Sequence, residues 1–105
     1  MNPVRIHVYG KHPEILETVL RLINKQEGWE GKGSTDLAAF LQLLQEHAAD
    51  LILLGGGISP SDEQHIRQYA AENLPNLQVI QHYGGGSGLL YNEVTSALSH
   101  QDTLS

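Results

Sequence analysis

Three glycine-containing segments hold the residues of this sequence best suited to binding a ligand: Gly10-Lys11-His12, residues 55–59 and residues 82–88. Glycine runs leave backbone N–H groups accessible, and free N–H groups at the start of a helix attract anions, most often phosphate. Lys11 would add a positive charge. One hypothesis is therefore a site for a nucleotide or another phosphate compound. The predicted site comprises Gly10, Lys11, His12, Gly55, Gly56, Gly57, Ser59, His82, Gly84, Gly85, Gly86 and Ser87.

The alternative is that these glycines only form tight turns and helix starts. The two glycine runs, at residues 55–59 and 82–88, do not match the phosphate-binding patterns Gly-x-x-x-x-Gly-Lys-Ser/Thr or Gly-x-Gly-x-x-Gly in a strand-to-helix context. Binding would require that several such loops meet at one edge of a sheet. Both interpretations stay open on the sequence alone.

Catalysis and metal binding are less favoured than either interpretation. The sequence contains no cysteine, which excludes thiolate ligands and thiol nucleophiles. His12 and His82 could approach each other and hold zinc, but no further ligand is placed to complete the set. Around Ser87, the last glycine of a Gly-x-Ser-x-Gly elbow comes one residue early. We therefore predict no catalytic residue, no metal and no cofactor, and the balance is against an enzyme.

Composition and charge narrow the classes of partner. The 105 residues predict one domain, 1–105, with residues 99–105 as a frayed tail. A formal net charge of −6 argues against nucleic acid and against an anionic membrane surface. No apolar run approaches the roughly 18 residues of a membrane span. Because no signal-peptide hydrophobic region follows Met1, we expect a cytoplasmic protein.

Hydrophobic patterning predicts four strands. Residues 4–8 alternate between apolar and polar, residues 51–54 form an apolar run buried on both faces, and residues 77–80 form a fourth strand. Residues 29–33 are a weaker candidate for an edge strand, because two glycines lower their strand propensity. His7 lies within a central strand, and we predict a core histidine that is hydrogen-bonded to a neighbour.

Helical spacing of apolar residues predicts a helix after each strand. Pro13 opens the first helix and Gly28 stops it. Ser34 or Thr35 is predicted to cap the second, and Ser61, with Gln64 three residues later, to form a capping box for the third. Residues 89–98 suggest a last helix. The predicted apolar stripe of the second helix consists of Leu37, Phe40, Leu41, Leu44 and Ala48.

Strict alternation of strand and helix predicts an α/β fold. Such chains form a parallel sheet with right-handed crossovers and helices on both faces. We predict a three-layer α/β/α domain with about four strands in the order 2-1-3-4.

In this arrangement the chain resembles the receiver domain of two-component response regulators, a flavodoxin-like fold. The run Asp50-Leu51-Ile52-Leu53-Leu54 is similar to the third receiver strand, and Ser59-Pro60 to the proline that follows it. His12-Pro13 after the first strand and Val79-Ile80 in the fourth also match. The resemblance covers nearly the whole chain and implies a role in signal transduction.

The residues of receiver chemistry do not match. Receivers accept phosphate on an aspartate at the end of the third strand, where this sequence has Gly55. They hold magnesium through an acidic pair ending the first strand, where Tyr9-Gly10-Lys11 stands. The hydroxyl residue expected after the fourth strand falls near Tyr83, and the fifth strand with its lysine is predicted to be missing. The resemblance thus implies a degenerate receiver without aspartyl phosphorylation.

A weaker resemblance joins the glycine segments to cobalamin-binding domains. Those domains place a histidine after the first strand, where His12 stands, but the acid and glycine that flank it are not matched here.

Without a fifth strand, the fourth would be an edge with unpaired backbone groups. A second copy of the chain, or a protein partner, could pair with this edge and cover the last helix. Alternatively, the last helix and tail could fold over it. Our leading hypothesis is a non-catalytic receiver-like protein that acts through protein contacts, as a homodimer, in signalling; the phosphate-ligand site is the alternative.

Overall fold

The computed structural model describes residues 4–55, 57–74 and 77–81. The strands are β1 (Val4–Tyr9), β2 (Trp29–Ser34), β3 (Leu51–Leu54) and β4 (Gln78–Gln81). The helices are α1 (Pro13–Lys25), α2 (Leu37–Glu46) and α3 (Pro60–Asn73). The predictions of a helix at 89–98, a frayed tail and a missing fifth strand concern residues outside these ranges.

The four strands form one parallel sheet in the order β2-β1-β3-β4. Val8 of β1 pairs with Gly33 of β2 and with Leu53 of β3, and Leu53 pairs with Ile80 of β4. The predicted α/β class and strand order are confirmed. Because all strands run the same way, their last residues lie at one side of the sheet, called here the carboxyl edge, where the loops into α1, α2 and α3 begin.

Helices cover both faces of the sheet and give the predicted three layers. On one face, α1 packs against Ile6, Val8, Leu51 and Leu53. On the other, α2 and α3 enclose a core of alternating strand residues and helix residues: Tyr9, Phe40, Leu44, Ile52, Leu54, Ile66 and Ala70. Every residue of β3 is fully buried, as an apolar run without alternation predicts. No helix in the described ranges is long and apolar enough to cross a membrane.

The predicted starts of α2 and α3 were wrong by one or two residues. The cap of α2 is Asp36, whose carboxylate accepts a hydrogen bond from the Ala39 N–H at 2.9 Å. The cap of α3 is Ser59 rather than Ser61, because Pro60 is well suited to the first helical position and so sets the start earlier. Ala48 lies beyond the end of α2 and is exposed, so it does not belong to the apolar stripe.

The two glycines of β2 are explained by close neighbours, which are side chains of α1 at Gly31 and the backbone of β1 at Gly33. A Cβ atom at Gly33 would lie 2.5 Å from the Val8 carbonyl oxygen, and one at Gly31 would lie 2.9 Å from Cγ2 of Ile23. Strand β2 keeps these glycines despite its low propensity, because a side chain at position 31 would meet α1 and one at position 33 would meet the backbone of β1. Asn24 at the end of α1 also accepts a hydrogen bond from the Gly31 N–H at 2.9 Å.

Among the described residues, His7 is a polar side chain buried in the core, with 1% of its surface exposed. Its position in the core is as predicted, but its Nδ1 atom has no hydrogen-bond partner. Burial lowers the pKa of His7 to about 4, and the nearby His47 and Lys32 act in the same direction. The neutral imidazole is thus the form that the fold accommodates.

We expect His7 to make the protein less stable at acidic pH. Between pH 6.5 and about 4 the unfolded chain binds a proton at this residue and the folded chain does not. The free energy of unfolding should therefore be unaffected by His7 above pH 6.5 and fall by at most roughly 1.4 kcal/mol per pH unit below it. Urea unfolding across this range should show a flatter profile for His7→Phe. The exposed His65→Gln variant should keep the wild-type slope, and an equal slope in His7→Phe would contradict the assignment.

Candidate functional site

The carboxyl edge brings together the predicted site residues that the structure describes. Gly10 and Gly55 follow β1 and β3, and the Gly55 N–H donates to the Tyr9 carbonyl at 2.8 Å. A Cβ atom at Gly55 would lie 3.4 Å from the Cα of Gly10, an ordinary contact distance. The backbone strands therefore meet closely here without excluding a side chain at position 55. Of the other predicted site residues, Gly56, His82, Gly84, Gly85, Gly86 and Ser87 lie outside the described residues.

A tyrosine, a lysine and an aspartate meet at this edge. The Tyr9 hydroxyl donates to Oδ2 of Asp62 at 2.7 Å, and the Lys11 ammonium lies 3.0 Å from the same oxygen. The ammonium also lies 5.5 Å from the centre of the Tyr9 ring, within the range of a cation–π contact. One carboxylate oxygen therefore joins the end of β1, the loop that follows it and the first turn of α3.

Two local features of the sequence bring this cluster together: the strand alternation that orients Tyr9 and the helix cap that positions Asp62. Tyr9 alternates onto the face that carries α2, where its ring packs against Phe40 with centroids 5.3 Å apart. Asp62 lies three residues after the helix cap, and its N–H donates to the Ser59 hydroxyl at 3.1 Å. A carboxylate in the first turn also interacts favourably with the helix dipole. The Ser59 cap therefore fixes the position of the Asp62 side chain relative to the sheet.

The three groups shift one another's proton affinities. Burial, followed by the hydrogen bond to Asp62, raises the pKa of Tyr9. The Tyr9 hydroxyl and the Asp62 carboxylate raise the pKa of Lys11 to about 12. Tyr9 and Lys11, in that order, lower the pKa of Asp62. At neutral pH the cluster thus contains a neutral phenol, an ammonium and a carboxylate.

His12 and Gly57 approach each other in the neighbouring loops. A Cβ atom at Gly57 would lie 3.1 Å from Nε2 of His12, and Gly57 has a φ of +81°, a conformation that favours glycine. His12 is exposed and occupies the N-cap position of α1, where its side chain makes no capping hydrogen bond. Within the described residues, no group of three histidine, aspartate or glutamate side chains could hold a metal ion.

Sequence reasoning named Lys11 and Ser59 but missed Tyr9 and Asp62 as members of the site. Tyr9 stands where the receiver resemblance places an acid, and its neighbours Val8 and Gly10 do not predict a bond to a distant carboxylate. Asp62 lies between Ser61 and Gln64 of the predicted capping box, and with the cap at Ser61 its side chain is not predicted to face the sheet. Moving the cap to Ser59 gives the spacing Ser-x-x-Asp, which would have placed the carboxylate at the carboxyl edge.

Solved receiver domains share this fold over nearly the whole chain. The signal receiver domain of an HD domain-containing protein from Pseudomonas fluorescens Pf-5 matches with a TM-score of 0.80 and 16% identity, covering 98% of this chain and 92% of that one. A CheY-like response regulator receiver domain protein from Methanospirillum hungatei JF-1 matches with a TM-score of 0.82 and 13% identity, covering 99% and 100%.

A third match is the RcsB response regulator of Salmonella typhimurium, with a TM-score of 0.62 and 18% identity over 77% of this chain and 42% of that one. No protein-family model and no curated protein matches the sequence. At these identities the likeness concerns the fold, and the chain has the fold of a response-regulator receiver domain.

We expect the hydrogen bond from Tyr9 to Asp62 to stabilise the carboxyl edge. Tyr9→Phe removes the hydroxyl and leaves the ring contact with Phe40, so the free energy of unfolding should fall by about 1–2 kcal/mol. Urea unfolding at neutral pH measures the change. Tyr69→Phe, on a half-buried tyrosine of α3, is the matched control. Equal losses in the two variants would show that the bond to Asp62 adds nothing.

Proposed function

We propose that this protein is a non-catalytic receiver-like protein that acts through protein contacts in signalling, in the cytoplasm and as a homodimer. The observation that carries the proposal is the composition of the carboxyl edge. Gly55 directly follows β3, and Tyr9-Gly10 stands at the end of β1, so the receiver positions for the phosphoacceptor and the acidic pair hold no carboxylate.

The carboxylate that lies beside the end of β1 is already neutralised. Asp62 Oδ2 accepts the Tyr9 hydroxyl and pairs with the Lys11 ammonium at 3.0 Å. A receiver needs a carboxylate nucleophile and a magnesium ion held by further oxygens. Here a resident lysine supplies the positive charge that magnesium would otherwise bring, which supports a site that does not transfer phosphate.

Asp62 also weakens the case for the alternative, a phosphate ligand bound by the glycine loops. The N-terminus of α3 is one of the anion-attracting positions of the described edge, and it is the one that contacts Lys11 through Asp62. Its first turn already contains a carboxylate that pairs with Lys11, the cation predicted to meet a phosphate. An incoming phosphate would have to displace this carboxylate. The alternative remains a hypothesis for residues 82–88, which lie outside the described part of the chain.

A protein with this fold can act through contacts with other proteins and needs no phosphate chemistry to do so. In the described ranges, β4 pairs with β3 and with no other strand. Its four residues Gln78–Gln81 include no charged side chain that would discourage pairing with another strand. A second copy could therefore extend the sheet there, and we propose that residues 89–98, where the sequence predicts a last helix, belong to the same interface.

We expect no phosphorylation of the protein by small phosphodonors. Incubation with acetyl phosphate and magnesium, followed by intact-mass spectrometry, should give no phosphoryl adduct, because the acceptor and metal positions hold Gly55 and Tyr9-Gly10. A receiver domain with an intact acidic site is the positive control. Transfer of phosphate onto any aspartate of the wild-type protein would contradict the proposal.

We expect the protein to sediment as a dimer at micromolar concentration. Gln78→Lys adds a charge to β4 and should raise the dimer dissociation constant about tenfold, which corresponds to about 1.4 kcal/mol. Gln45→Lys adds the same charge to the exposed face of α2 and should leave the constant unchanged. Sedimentation velocity over a concentration series measures both. A wild-type monomer at all concentrations would contradict the dimer.

A further inference from the structure

The sheet face that carries α1 is wider than α1 itself. A helix with its side chains is about 10–12 Å across and neighbouring strands lie about 4.8 Å apart, so one helix covers roughly two strands. Helix α1 lies close to β2, where a Cβ atom added at Gly31 would meet Ile23 and Leu20. In the strand order β2-β1-β3-β4 it therefore covers β2, β1 and the near side of β3, and β4 lies beyond its width.

The side chains on the far part of this face are apolar. Leu51 and Leu53 of β3 and Ile80 of β4 belong to the hydrophobic cluster on the α1 side of the sheet. Leu51 and Leu53 have no exposed surface, which requires a cover that extends past α1. Among the described helices, α2 and α3 pack on the opposite face and do not provide it.

Helix α1 also turns an apolar side toward this part of the sheet. Its polar side is marked by Asn24, which accepts a hydrogen bond from the Gly31 N–H at the edge of β2 that β1 does not use. At 3.6 residues per turn, Ile15 and Leu22 lie about half a turn around the helix from Asn24, on the side toward β3. Ile15 is 55% exposed and Leu22 is half-buried. Together with β3 and β4 they form an apolar surface that α1 leaves open.

The segment 89–98, which lies outside the described residues, has the pattern that fits this surface. Ten helical residues span about 15 Å, close to the roughly 13 Å of the four residues of β3. Strand β4 ends at Gln81 on the carboxyl edge, and the seven residues 82–88 can extend about 23 Å, enough to bring the chain onto the face. The apolar residues of the segment recur at helical spacing: Leu89, Leu90, Val94, Ala97 and Leu98.

We propose that residues 89–98 dock as a helix on the α1 side of β3 and β4, with their apolar stripe against Leu53, Ile80 and Leu22. The opposite face is already filled, because Ile66 and Ala70 of α3 are buried there. A short linker gives the chain's own segment a millimolar effective concentration, which favours it over a second copy at micromolar concentration. The docking leaves the edge of β4 free, so it is compatible with the proposed dimer and does not require it.

Methyl NOEs in the full chain test this packing without any substitution. We expect NOEs from Leu90 and Val94 to Leu53 and Ile80. Val79 is the matched control, because it precedes Ile80 in β4 and packs on the opposite face, and it should show none. NOEs to Val79 instead, or no NOE to the sheet at all, would overturn the proposal. In a mixture of labelled and unlabelled chains, NOEs seen only between copies would also overturn it.

Charge substitutions within residues 89–98 give a second measurement. Leu90→Asp and Val94→Asp place a charge in the apolar stripe and should lower the melting temperature by at least about 8 °C. Asn92→Asp and Thr95→Asp introduce the same side chain on the polar side of the predicted helix and should stay within about 2 °C of the wild type. Equal shifts in the two pairs would contradict the docking. The NOEs are measured on the wild-type chain, so they decide the question even where a variant does not fold.

Discussion

The complete burial of β3 is the constraint on which the rest of the structure depends. Its four residues have no exposed surface and contact a helix layer on each side of the sheet. Each such side chain contributes about 1.5–3 kcal/mol relative to an exposed one. This strand needs neighbours on both edges and helices on both faces, so β1 and β4 flank it and the crossover helices are divided between the two sides. The loops that meet at the carboxyl edge follow from that arrangement.

The same constraint explains how much of the fold could be predicted. A run such as Leu51–Leu54 between turn residues indicates a central parallel strand, and the alternation of strand and helix then leaves few possible strand orders. The positions of the helix starts depend on single residues: Asp36 and Ser59 act as caps because their side chains reach an N–H three residues later. Several neighbouring serines and threonines offered the same chemistry, which is why the predicted caps were displaced.

The candidate site was harder to predict than the fold. Tyr9 and Asp62 are separated by 53 residues, and their bond depends on the register between β1 and β3 together with the start of α3. Pattern reasoning could bring the glycine loops to one edge but could not say which side chains would fill it. His7 shows the same limit, since its position in the core was predictable, while the missing partner of Nδ1 depends on the full three-dimensional packing.

The two glycines of β2 impose different limits on how this sequence can vary. At Gly31, an added methyl group would meet side-chain atoms of Ile23 and Leu20, so a smaller residue at one of those positions could make room for it. At Gly33 the obstacle is the carbonyl oxygen of Val8, a backbone atom that no substitution elsewhere removes. In evolutionary terms, position 31 can change together with α1, whereas position 33 stays glycine for as long as β1 and β2 keep their register.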